Sequence, residues 1–173
     1  MSTSAPREQG PASIPASIVV GAAALVIPAL LSISSAPSPS HPKILRWYKA
    51  LQMPSFKPPD TLIPIAWTVI DAALGVAGYR LMRAAPTAAR SKALAWWTAN
   101  ILTISVWNRL FFKKRSLSVS TIAAAGLCAS SVAYVASARH VDRPAARLGL
   151  PLVGWVAFAT LLTASIWRLN AKR

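Results

Sequence analysis

The feature that most constrains this chain is the absence of charge over long apolar stretches. Between Glu8 and Lys43 no side chain carries a formal charge, and residues 14–33 supply 20 mostly apolar positions within that interval. A helix rises about 1.5 Å per residue, so this segment is long enough to cross a hydrocarbon core about 30 Å thick. Four further stretches are similarly apolar: 62–82, 93–112, 117–138 and 148–167.

The backbone of these stretches decides the class of fold. In lipid, backbone groups must find hydrogen-bond partners within the protein, and a helix supplies them inside its own segment. The residue alternation of a membrane β-barrel is missing. We therefore predict an all-α fold, an integral membrane bundle of five transmembrane helices. The bundle occupies residues 14–170, with a tail at 1–13, a lid-like connector at 34–61 and a tail at 171–173.

Composition agrees with a membrane protein. Charged residues make up 13% of the chain and hydrophobic residues 54%, whereas a soluble domain has about 25% charged residues. The net charge of +15 would suggest a nucleic-acid partner in a polar chain, but here the basic residues flank apolar spans. We expect the lipid bilayer as partner and no nucleic acid. The single cysteine, Cys128, excludes an intramolecular disulfide, and no metal-site spacing is present.

The distribution of Lys and Arg predicts the orientation. Of the 19 basic residues, eleven lie on the side of the C-terminus and eight on the other side, which favours a cytoplasmic C-terminus. The N-terminus lacks the basic amphipathic character of a mitochondrial presequence, which favours a bacterial membrane. The first span has an alternative interpretation as a signal peptide, since the small residues Ser35 and Ala36 could form a cleavage site.

Tryptophans form the clearest candidate site. The chain has seven, and an interfacial aromatic belt explains those near span ends: Trp47, Trp96, Trp97 and Trp167. Helical spacing places Trp67 and Asp71 on one face of the second span, together with Leu74, Gly75 and Gly78. It also places Trp155, Phe158 and Leu162 on one face of the fifth span, beside Ala159. Such faces could line a pocket for a flat ligand; plain helix packing is the alternative.

Asp71 is the one carboxylate expected at membrane depth. Inserting it costs about 2.5–3.5 kcal/mol, so it should face the bundle interior or water. It could contact a ligand or carry a proton. The alternative is a structural hydrogen bond to Asn100 or Asn108 in the third span.

The connector is rich in proline and aromatic residues, which favours an ordered lid over a solvated linker. Pro54, Pro58 and Pro59 are interleaved with Trp47, Tyr48 and Phe56. Its basic residues would form a positive rim for carboxylates or for anionic lipid headgroups: Lys43, Arg46, Lys49 and Lys57. No HExxH, GxSxG, P-loop or GxGxxG motif occurs, and His41 and His140 lie far apart in sequence.

Three blocks of residues resemble one family. The run WYKALQMPSFKPPDTLIPIAWTVIDAALGVAGY, the Trp107 to Phe112 segment and PLVGWVAFATLLTASIWRLN are similar to the signature of the TspO/MBR family, the tryptophan-rich sensory and translocator proteins. The chain departs from that signature at several positions, among them Asp71, where the family has Tyr, and Phe56, where it has Trp.

The resemblance implies a five-helix membrane protein, often a homodimer, that binds porphyrins and related tetrapyrroles, or sterols in animals. It implies a pocket under the first connector lined by Trp67, Trp107, Trp155, Phe158, Ala159 and Leu162, to which we add Trp47, Pro54, Pro58, Pro59 and Asp71. No cofactor is required, since the porphyrin is the ligand.

The role could be sensory, regulatory or transport. The alternatives are a light-dependent porphyrin-degrading enzyme that uses Trp67 and Trp155, and a small proton-coupled exporter that cycles protons on Asp71. For dimerisation, Gly126 and Ser130 form a small-xxx-small step, but such steps arise easily in an Ala-rich helix, and we expect tight packing within the monomer to be its cause.

Overall fold

A computed structural model describes residues 10–33 and 35–171. Over these residues the chain forms seven α-helices and one π-helical turn, and no strand. Their bounds are α1 Ile14–Ile33, α2 Pro42–Lys49, α3 Leu62–Arg83, α4 Ala88–Asn108, the π-helical turn Arg109–Lys113, α5 Leu117–Ala138, α6 Arg143–Leu148 and α7 Leu150–Asn170. The predicted all-α class is confirmed.

Four segments in the described part of the chain are long and apolar enough to cross a membrane. They lie in α1, in α3, in α5, and in α6 and α7 taken together, which follow one another through Gly149. The predicted third span corresponds to α4, which is 21 residues long but does not belong to this set. Its first two turns carry Arg90 and Lys92, and Asn100 lies near its middle. By length and composition the structure thus contains four candidate spans, one fewer than the sequence predicts.

Small residues bring α1 and α3 into close contact. A Cβ atom added at Gly21 would lie 2.7 Å from the carbonyl oxygen of Gly75, and one added at Gly75 would lie 2.9 Å from that of Gly21. Only glycine at both positions allows the two backbones to approach so closely. The rest of the core lies where α3, α4, α5 and α7 meet, and the largest apolar side chains fully buried there are Leu74, Leu81, Leu152 and Val156.

Trp97 lies in this core, so its assignment to an interfacial belt is wrong. Its side chain is 4% exposed, and its indole Nε1 donates a hydrogen bond of 2.9 Å to the Leu74 carbonyl. A tryptophan side chain can be buried inside a bundle when its indole N–H has a hydrogen-bond acceptor, and the α3 backbone provides that acceptor here. Trp167, by contrast, is 40% exposed, as a belt residue would be.

For Gly126 of the small-residue step in α5, the expectation of tight packing within the monomer is wrong. Gly126 is exposed, and a Cβ atom there would have no neighbour within 4 Å. Ser130 turns toward α4, where its hydroxyl donates to Asn100 Oδ1 at 2.9 Å. Tyr134, one turn further, is fully buried and donates to the Ala145 carbonyl.

Candidate functional site

The bundle encloses a cavity of about 610 Å³ beneath the connector. This volume falls within the range of about 300–1,000 Å³ that is usual for small-molecule sites. Helices α1, α3, α4, α5 and α7, the π-helical turn and the connector all contribute lining residues. The wall is predominantly apolar and aromatic, which suits a ligand with a large hydrophobic surface.

Four indole and phenyl rings from α3, α4 and α7 form the cavity's aromatic wall. The rings of Trp67 and Trp155 meet edge to face with centroids 6.3 Å apart, and Trp155 lies 5.8 Å from Phe158. Trp107 lies on α4, and its Nε1 donates to the Ser120 carbonyl of α5. Because these rings are held by contacts between helices, a flat ligand would meet a preformed aromatic surface.

The π-helical turn extends that wall with two consecutive aromatic residues. The Lys114 amide bonds to the Arg109 carbonyl, five residues earlier, and this wider turn brings both Phe111 and Phe112 to the cavity. Phe111 stacks on Trp107 with centroids 5.0 Å apart. Arg115 follows with a φ of 55°, a left-handed conformation that redirects the chain into α5. Single π turns of this kind often mark functional sites.

Asp71 lines the cavity from α3, one helical turn after Trp67. Within the described residues, its buried Oδ1 has no hydrogen-bond partner. The structural alternative fails for Asn100, because that amide donates to the Trp96 and Ser130 carbonyls and accepts from the Ser130 hydroxyl. Asp71 therefore stays a candidate for contact with a ligand.

Two charged groups at the cavity mouth, Lys57 and Asp60, form an ion pair. Lys57 Nζ lies 2.6 Å from Asp60 Oδ1, and the Tyr48 hydroxyl donates to the same oxygen at 2.9 Å. The hydrogen bond from Lys57 lowers the pKa of Asp60 although partial burial opposes it. Burial, and then the neighbouring Asp60, raise the pKa of Tyr48. Lys49 also lines the mouth, whereas Lys43 and Arg46 of the expected basic rim do not.

The connector is folded over the cavity by contacts with the π-helical turn and with α7. Trp47 packs edge-on against Phe111 at 5.7 Å, and Phe56 packs against Phe158 at 6.3 Å. At the C-terminal end of α7, the Gln52 amide donates to Asn170 Oδ1, and Asn170 Nδ2 donates to the Gln52 carbonyl. These contacts hold the connector over the cavity as a cover.

Most of the predicted site residues come together in this cavity. The lining includes Pro58, Trp67, Asp71, Trp107, Trp155, Phe158, Ala159 and Leu162. Trp47, Pro54 and Pro59 lie in the connector but not among the lining residues. Sequence reasoning missed the pairing of Tyr48 with Asp60. The signal that could have indicated it is the position of Asp60, an acidic residue in a basic connector and three residues after Lys57.

Comparison with known proteins agrees with this architecture. Residues 16–168 match the model of the TspO/MBR family. The chain is 30% identical over 125 residues to Protein CrtK of Rhodobacter capsulatus, covering 72% of this chain and 78% of that protein. It is 28% identical to the Translocator protein of Homo sapiens, covering 75% and 78%. It is also 28% identical to the Tryptophan-rich protein TspO of Chlorobaculum tepidum, covering 85% and 94%.

Proposed function

Since the chain belongs to the TspO/MBR family, we propose that it is a membrane protein that binds a tetrapyrrole, or another flat and largely apolar molecule, in the cavity under the connector. The observation that carries this proposal is the wall formed by Trp67, Trp155 and Phe158 around a space of about 610 Å³. A macrocycle gains by stacking on such rings. Its peripheral carboxylates would meet Lys49 and Lys57 at the mouth.

Binding is the step that the possible roles share. One relative is called a translocator protein and another a tryptophan-rich sensory protein. A sensor must hold its ligand long enough to change conformation, and a transporter must hold it between two sides of a membrane. We therefore place ligand capture first and treat sensing, regulation and transport as its possible consequences.

A titration of the detergent-purified protein with protoporphyrin IX tests the proposal. We expect saturable one-site quenching of tryptophan fluorescence, with weaker affinity in Trp67→Phe and in Trp155→Phe. Trp167→Phe is the matched control, because Trp167 is 40% exposed and lies outside the cavity lining. Linear quenching that is identical in all four proteins would mean that porphyrin only partitions into the micelle, and the proposal would fail.

We also propose that α4 crosses the membrane, which makes five spans. Its polar residues Asn100 and Ser105 are buried against the bundle, whereas Leu102 and Val106 are exposed on its outer side. The modest hydropathy of α4 thus comes from side chains that are hydrogen-bonded inside the protein, as Asn100 is to α5. Arg90 and Lys92 lie near its first turn, where they reach the headgroup region.

Accessibility labelling tests the fifth span. In a Cys128→Ser background, Ala85→Cys lies before α4 and Lys114→Cys lies after it. If α4 crosses, a membrane-impermeant maleimide added to intact cells labels one of these cysteines and not the other, and disruption of the cells makes both reactive. Labelling of both from the same side would show that α4 does not cross.

Light-dependent oxidation of a bound porphyrin is a second candidate function. The observation that favours it is the edge-to-face pair of Trp67 and Trp155 on the cavity wall. An excited macrocycle can accept an electron from an adjacent indole, and dioxygen would serve as the final oxidant. Illumination of the porphyrin complex in air should then bleach the porphyrin absorbance in the wild type and not in Trp67→Phe or Trp155→Phe. Equal bleaching in all three would remove this candidate.

A further inference from the structure

Asp71 has a buried carboxylate oxygen that the described residues leave unpaired. Its carboxylate lies near the middle of α3, and the buried Oδ1 has no hydrogen-bond partner among the described residues. Burying part of a carboxylate without a partner is unfavourable unless the group is neutralised or acquires a partner. On the cavity wall, the Asp71 carboxylate is therefore an acceptor available to a ligand inside the cavity.

The other ionisable groups around the cavity do not compensate Asp71. Those that line the cavity are Tyr48, Lys49, Lys57 and Asp60. Tyr48 and Lys57 are both engaged by Asp60. In the part of the chain that the structure describes, the ion pairs are Lys57–Asp60 and Arg80–Asp142, and neither includes Asp71.

The immediate surroundings of Asp71 favour one chemistry of partner. Trp67 lies one turn before it on the same helix, and Trp107, Trp155 and Phe158 line the same cavity. The faces of aromatic rings attract positive charge, most strongly where water is excluded. An unpartnered carboxylate among aromatic rings is therefore a recognition element for a protonated nitrogen.

We propose that Asp71 is a specificity-determining residue whose carboxylate accepts a hydrogen bond from an N–H group of the ligand, most strongly from a protonated nitrogen. The cavity thereby selects flat nitrogen heterocycles over hydrocarbons of the same shape. The inference rests on the proposed function, because it requires a flat ligand in this cavity. A tetrapyrrole meets both conditions at once, with N–H groups at its centre for Asp71 and carboxylates at its edge for the basic mouth.

Two tricyclic probes of nearly equal shape test this selectivity. 9-Aminoacridine is a cation at neutral pH, and 9-methylanthracene has three fused rings and no nitrogen. Each is titrated against the protein in a non-ionic detergent, and the ratio of the two Kd values is compared between variants, which cancels partition into the micelle. We expect Asp71→Asn to weaken 9-aminoacridine binding by roughly tenfold or more, since it removes a charge-assisted hydrogen bond. Binding of 9-methylanthracene should stay unchanged.

Asp142→Asn is the control, because it removes a carboxylate that lies outside the cavity lining. It should change the Kd ratio by less than about twofold, since a charge outside the cavity acts on the probe only through screened electrostatics. An unchanged ratio in Asp71→Asn would overturn the inference while the proposed function stands. No saturable binding of either probe to the wild type would overturn both.

Asp71→Leu provides an independent readout that does not depend on binding. Replacing an unpaired buried carboxylate by an apolar group of similar size is neutral or stabilising, so we expect the ligand-free variant to unfold at the same or a higher temperature than the wild type. The variant should also lose the preference for 9-aminoacridine. A clear drop in its unfolding temperature would mean that Asp71 has a structural partner, and the inference would fail.

Discussion

Gly78 shows how the absence of a side chain lets α3 and α4 pack closely together. A Cβ atom at this position would lie 2.5 Å from Cζ2 of the Trp97 indole. The same indole donates its N–H to the Leu74 carbonyl one turn earlier on α3. The Trp97 indole of α4 therefore packs directly against the α3 backbone at Gly78, and this contact sets the separation of the two helices.

We expect Gly78→Ala to destabilise the protein by about 1–3 kcal/mol, because the added methyl group forces the indole or the helix to move. Gly126→Ala is the control: its Cβ would have no neighbour within 4 Å, and the higher helix propensity of alanine should leave stability unchanged or raise it by up to about 1 kcal/mol. Thermal unfolding followed by circular dichroism in one detergent measures both. Equal changes in thermal stability in the two variants would contradict the close packing of Trp97 on Gly78.

At the scale of elements, Asp142 ties the short helix α6 to α3. It caps α6 by accepting from the Ala145 amide at 2.6 Å. Its two carboxylate oxygens also accept from Arg80 at 2.9 and 3.0 Å. Burial works against ionisation, but the hydrogen bonds from Arg80 and Ala145 prevail and lower the pKa of Asp142. The junction thus depends on the ionised form.

This junction predicts a pH dependence of stability. Folding lowers the pKa of Asp142. The contribution of its ionised form to folding stability is therefore complete above the ordinary carboxyl pKa of about 3.9, and it is lost as the pH falls through the lower pKa of the folded protein. Asp142→Asn keeps a good helix cap and removes the charge. The stability difference between wild type and variant should be constant from about pH 8 to pH 5 and should shrink below about pH 4. It should not exceed about 1 kcal/mol, because Arg80 is partly exposed. A difference that grows as the pH falls would contradict this role.

At the scale of the whole molecule, α5 presents an open face on the outside of the bundle. Gly126 is exposed with free space above it, and Ile122, one turn earlier, is 70% exposed. Since the monomer does not fill this notch, a second copy could pack there, as small-residue steps allow in membrane helices. Dimerisation through this face stays a prediction.

Gly126→Leu tests the dimer, because a bulky side chain there meets nothing inside the monomer. If α5 forms the interface, we expect the crosslinked dimer in membranes to decrease severalfold while the thermal stability of the monomer is kept. Gly154→Leu on α7 is the matched control, since Gly154 is also exposed and has no neighbour within 4 Å of an added Cβ. An intact dimer in Gly126→Leu, or equal loss in both variants, would exclude this face.

The sequence by itself determined the long helices and much of the composition of the site. Hydropathy and helical spacing are properties of consecutive residues, so they located α1 and α5 over the residues at which the helices are found and placed Trp67 with Asp71 on one face. The same local patterns identified Trp155 and Phe158 as neighbours on α7. These inferences needed no knowledge of how one helix packs on another.

The tertiary structure decided what each of those residues faces. Trp97 has the sequence signature of a belt residue, yet a glycine and a carbonyl 19 and 23 residues away draw it into the core. Among the described residues Asp71 Oδ1 has no hydrogen-bond partner, and Asn100 is engaged by α5 instead. Gly126 faces open space because α5 turns that side away from the bundle. Contacts of this kind join residues far apart in the chain, and they depend on crossing geometry that no local pattern encodes.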